Sequence, residues 1–120
     1  MAKGDDIQRR LVRFAVKVAE LCEGLPKTAL ANHANTQMLR SATAAAPNYA
    51  EARGAESRSD FVHKLGITFK ELNETEVWLS MLLEKKVLLE SELLPVLQEC
   101  KELCRIIATS RSTARRGLKS

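Results

Sequence analysis

Two groups of residues have the types and spacing that chemistry requires. Arg40, Ala44, Asn48 and Glu51 follow one another at intervals of four, four and three. Lys64, Glu71, Glu74 and Trp78 follow at seven, three and four. At about 3.6 residues per turn, each set lies along one face of a helix. If the two faces meet, Arg40 can pair with Glu71 or Glu74, and Asn48 can bridge. Paired carboxylates beside a cation could serve acid–base catalysis, but that also needs a pocket and a displaced pKa. The simpler reading is a buried, hydrogen-bonded network that fixes the register of two helices. It is the reading adopted for Arg40, Asn48, Glu51, Glu71 and Glu74.

Other chemistry finds less support. Di-metal centres in helical bundles use a Glu from each of two helices plus two Glu-x-x-His motifs. The nearest match here is a single Asp60-x-x-His63, and His33 and His63 read as surface or satisfied side chains. Cys22, Cys100 and Cys104 lack the Cys-x-x-Cys spacing of zinc sites and read as small core hydrophobes. There is no Gly-rich phosphate loop, no Ser-His-Asp set and no nucleophile elbow. The expectation is a protein that is not an enzyme, with no cofactor, no metal and no small-molecule substrate.

The last ten residues carry Arg111, Arg115, Arg116 and Lys119 and no acid, while the net charge of the whole chain is +4. The body is therefore neutral and the excess sits in the tail. Such a segment is either a solvated arm or an arm that contacts the phosphates of RNA or DNA. No aromatic is interleaved in it, so contact would be electrostatic and independent of base sequence.

Four amphipathic blocks must position these residues. The first spans 5–23, with Asp5 and Asp6 at the positive end of the helix dipole and Gly24 and Pro26 as the stop. The second spans 28–53 and is rich in alanine, which lets a neighbour approach closely. Pro47 inside it predicts a kink or a boundary near 43–47. The third begins at a capping-box-like Ser57/Asp60 pair and keeps helical period from Phe61 to about Glu84. Val62, Trp78 and Met81 lie off its main stripe and suggest a second apolar contact. The fourth begins after Leu89, with Ser91 as a cap and Pro95 in the first turn, and ends near Ser110. Residues 111–120 lose the pattern and are expected to be a separate basic tail.

Three short connections make consecutive helices antiparallel neighbours. The fold class predicted is all-α, an antiparallel up-down-up-down four-helix bundle over residues 1–110. Length and composition agree: 120 residues suit one domain, apolar content is 45%, and there are only 3 prolines and 5 glycines. No run of apolar residues is long enough to cross a membrane. With an odd number of cysteines and no secretory pattern, a cytoplasmic location is expected.

The run Gln37-Met38-Leu39-Arg40-Ser41-Ala42-Thr43, followed by Asn48-Tyr49-Ala50-Glu51-Ala52, resembles a signature of the bacterial four helix bundle protein family, also known as 23S rRNA intervening-sequence proteins. Ser57-Arg58-Ser59-Asp60-Phe61-Val62-His63-Lys64-Leu65, Lys70-Glu71-Leu72, Glu74 and Trp78-Leu79 agree with it too, so the resemblance covers roughly residues 10–110. It implies a bundle that assembles as a homopentameric ring. Distantly similar accessory proteins of retroelement reverse transcriptases are basic pentamers that bind nucleic acid. Ala44 departs from the family's frequent serine, and the neutral body departs from the basic accessory proteins. The tail lies outside the matched region, so no family role transfers to it.

The function expected from these observations is a homo-oligomeric helical scaffold, self-associating as a pentamer, with RNA or DNA held at Arg111, Arg115, Arg116 and Lys119. Five tails around one ring would add avidity. The alternative is a protein–protein adaptor that uses the apolar surface around Val62, Trp78 and Met81. No membrane partner is expected in either case.

Overall fold

The computed structural model describes residues 4–119, and of Lys119 the backbone alone. Four helices follow one another: α1 (Asp5–Glu23), α2 (Ala29–Arg53), α3 (Arg58–Lys85) and α4 (Glu90–Lys119). Each helix packs on the next along the chain, and α4 closes the square on α1. Among the described residues the diagonal pairs bring no Cα atoms within 8 Å of each other and meet only through the shared core. Cross-helix partners run in opposite senses along each pair, which makes the bundle antiparallel, as the short connections require.

Local chemistry sets the helix ends. Gly4 stands before α1 at φ 95°, a left-handed conformation that glycine adopts without strain. The Thr28 hydroxyl accepts the Ala31 amide at 3.3 Å, and the Ser57 hydroxyl accepts the Asp60 amide at 3.0 Å. Lys86 ends α3 at φ 58°, and the Lys86 and Val87 amides close on the carbonyls of Leu83 and Leu82.

The core follows the stripes. Leu11, Phe14 and Val18 of α1 meet Met38 and a row of alanines on α2. Leu65, Leu72, Leu79 and Leu82 of α3 meet Leu93, Leu103 and Ile107 of α4. All three cysteines are buried and reduced. Cys100 donates to the Leu72 carbonyl at 3.2 Å. The hydrogen-bonding sulfur of Cys104 and burial together push the Cys100 thiol far up, so it stays protonated and packs as a hydrophobe.

Three expectations about the helices change or narrow. Of the two alternatives at Pro47 the boundary is excluded, because α2 runs through it as one helix. Thr43, whose carbonyl loses a donor to the proline, and Pro47 itself are both exposed, so the forfeited bond faces water. Ser91 does not cap α4, and Pro95 lies in the second turn rather than the first. The chain enters the helix at Leu89, whose carbonyl accepts the amides of Glu92 and Leu93. The bond Pro95 cannot make would end at exposed Ser91, again on the solvent side.

The third change is the largest. α4 does not stop near Ser110 but continues to Lys119. Ala114, seven residues beyond buried Ile107, keeps the core face going and is 4% exposed. Basic side chains in the last turns also suit the negative end of the helix dipole. At about 1.5 Å per residue, 30 residues give α4 a length of about 45 Å. The molecule's long dimension is 50 Å.

Candidate functional site

The α2–α3 seam brings together most of the polar residues singled out by spacing. The Arg40 guanidinium donates to both Glu74 oxygens at 2.7 Å and reaches Glu71 at 3.3 and 3.4 Å. The Trp78 indole N–H also donates to Glu74, at 3.2 Å. The Trp78 ring meets His33 edge to face at 5.4 Å. The Arg40 hydrogen bond, helped by Trp78, holds the Glu74 carboxyl below the usual carboxylate range. Glu51 pairs with Lys64 at 2.8 Å.

Two details correct the expected network. Asn48 does not bridge: its side-chain amide donates to the Ala44 carbonyl of its own helix at 2.8 Å. Nor is the cluster buried as a whole, since half of the Arg40 side chain is exposed. The buried polar contact lies one residue further in, where the Ser41 and Thr75 hydroxyls meet at 2.6 Å. These hydroxyls also bond the carbonyls of Met38 and Glu71. No buried side-chain polar atom among the described residues lacks a partner. Hydrogen bonds and ion pairs of this kind across the seam hold the register of α2 against α3.

The second assembly is at the far end of α4. Arg111, Ser112, Arg115 and Arg116 line a cleft of about 260 Å³ together with Ala108 and, from α3, Phe69. Arg111 donates through Nε to the Val62 carbonyl at 3.3 Å, and its guanidinium lies across Gly66. Arg58 of α3 lies across Gly117 of α4 in the same way. Arg116 reaches Thr113 at 3.3 Å. The side chain of Lys119 lies outside the described residues. Three cations thus line one cleft on a helical end beside a half-buried aromatic ring.

Phe69 falls within the helical period read for the third block, and spacing assigns Gly66 and Arg58 no functional role. Their signal was available only in register: pairing α3 against α4 sets residue 66 opposite 111 and residue 58 opposite 117. The Val62–Trp78–Met81 surface does not exist as one patch. Val62 is buried at 8% exposure, Trp78 packs on His33, and only Met81 stays open, beside Val77.

Among the described residues, no group of three or more His, Cys, Asp or Glu side chains is placed to hold a metal ion. No described helix is long and apolar enough to cross a membrane.

Comparison with known proteins accords with this architecture. A solved structure from Bacteroides thetaiotaomicron VPI-5482, a protein with unknown function from the S23 ribosomal protein family, superposes with a TM-score of 0.78 at 28% sequence identity. The match covers 88% of this chain and 97% of that one. No curated protein matches. The family model described as 23S rRNA-intervening sequence protein matches residues 5–109, from the first residue of α1 to just before the basic end of α4. This chain belongs to the 23S rRNA-intervening sequence protein family.

Proposed function

We propose that this protein is a non-enzymatic, homo-oligomeric helical scaffold, a ring of five chains, that holds structured RNA or another nucleic acid by electrostatic contact. The observation that carries the reading is the cleft at the end of α4. Arg111, Arg115 and Arg116 converge there, and the helix spares each the entropy a loose arm would lose on binding. Phosphate contact of this kind positions a nucleic acid without reading its sequence. Phe69 adds a face on which an unpaired base could stack. Committed polar groups in the α2–α3 seam support a structural rather than catalytic body.

The test is fluorescence anisotropy of a labelled RNA hairpin titrated with the protein across a salt series. Affinity that falls steeply with salt supports the reading. Absence of binding at low salt, or salt-independent binding, overturns it.

A second reading, a protein–protein adaptor, is favoured by the exposure of Val77 and Met81, 48% and 39%, on α3 beside Leu30. It predicts a heterologous partner whose complex survives high salt, because apolar burial is not screened.

A further inference from the structure

Four of the seven large apolar side chains exposed among the described residues fall into two pairs of equal pitch. Val12 and Val16, 50% and 54% exposed, form a ridge on α1. Val77 and Met81 form the floor of an open groove of about 530 Å³ on α3, walled on the α2 side by Leu30. Residues four apart on a helix stand about 6 Å apart along its axis. A ridge of that pitch therefore fits a groove of that pitch.

The flanking charges are opposite. Arg9, Arg13 and Lys17 run along one side of the ridge. Arg9 pairs with Asp6 and Lys17 with Glu20, while Arg13 makes no ion pair among the described residues. The groove is rimmed by Glu76 and Glu84 against a single cation, Lys85. Glu84, like Arg13, has no ion-pair partner among the described residues.

The two surfaces point away from each other. α1 and α3 are the diagonal helices of the square, with no Cα atoms within 8 Å of each other among the described residues, so their exposed faces lie on opposite sides of the bundle. One chain cannot satisfy both, and a two-fold dimer would not join them.

We propose that the α1 ridge of one copy seats in the α3 groove of the next, with Val12 and Val16 against Val77 and Met81 and Arg13 near Glu84. Such a contact is head to tail, and it closes into a ring when the rotation per copy permits. The inference rests on the oligomeric part of the function proposed above and supplies the two faces that part requires.

The experiment is light scattering of the 13.4 kDa chain and two surface variants, Val16→Asp and Met81→Asp. Circular dichroism and cooperative unfolding serve as the folding control. Wild type should have a mass several times that of one chain, and each variant alone should be a single chain. Mixed in equal amounts, the variants should form a species of two chains and go no further, because one intact ridge and one intact groove remain. Should either variant fail the folding control, Arg13→Glu replaces it. That change should weaken assembly, and adding Glu84→Arg should restore it.

A single-chain wild type overturns the oligomeric scaffold itself, and this interface with it. An oligomer that survives both variants overturns this interface and leaves the scaffold standing. Loss of assembly in only one variant means a self-paired contact and overturns the head-to-tail arrangement.

Discussion

The guanidinium of Arg111 lies so close over Gly66 that a Cβ at residue 66 would stand 2.8 Å from one of its nitrogens. Arg58 repeats the relationship over Gly117, where a Cβ would stand 2.7 Å from the guanidinium. Each helix thus supplies an arginine and receives one, and the last turns of α4 are clasped to the first turns of α3. This reciprocal contact turns what reads as a basic tail into the end of a helix.

Gly66→Ala separates stability from binding. Alanine gains about 0.5–1 kcal/mol of helix preference. The flexible Arg111 side chain moves aside and loses its bond to Val62, worth about 0.5–1.5 kcal/mol. Thermal unfolding should therefore place the variant within about 1 kcal/mol of wild type. RNA affinity at 0.1 M salt should fall by up to about tenfold, the loss of one phosphate contact. Equal affinity in the two proteins would show that Arg111 need not be held in place.

Glu74 carries a pH signature. Its folded-state pKa is lowered, chiefly by Arg40, so the stability it contributes is present above the unfolded carboxylate value of about 4.3. That contribution is lost as the pH falls through the lower folded value. Urea unfolding of wild type and Glu74→Gln should differ at pH 7, and the gap should narrow below about pH 4.3 and close under acid conditions. A gap that widens in acid would contradict the assignment.

Lys86 sits at φ 58° where helices usually place glycine. Lys86→Gly should raise stability by about 0.5–1 kcal/mol, since relief of the left-handed backbone outweighs the entropy of the new glycine. Chemical denaturation measures it, with an unchanged m value expected.

Much of the fold could be read from particular residues. Asp5 and Glu23 bound α1 as expected, Ser57 caps α3 as its pairing with Asp60 predicts, and Gly24 follows the helix it ends. These are local signals, each complete within a turn. The end of α4 was not legible because its core stripe beyond Ile107 rests on one alanine, and the burial of Ala114 exists only once the helices have packed. Pro47 does not end its helix and Pro95 lies a turn further in than expected for a related reason: the cost of a proline depends on whether the abandoned carbonyl meets water. Arg40, Glu71 and Glu74 were legible as partners because helical spacing fixes which side chains share a face. Asn48 was not, since an amide can turn back to its own helix. The cleft joins Phe69 to arginines some forty residues later, a relationship that exists only once α3 and α4 are in register.

The central claim, that the helical end of α4 holds nucleic acid, is tested most directly by replacing Arg111, Arg115 and Arg116 with glutamine at full length. The salt dependence of RNA hairpin binding is then compared with that of wild type. Each lost phosphate contact should lower the slope of log K against log salt by about 0.9, so the variant should lose up to about 2.7 units of slope together with most of its affinity at low salt. A variant that keeps the wild-type slope and affinity would place any nucleic-acid contact elsewhere and contradict the account.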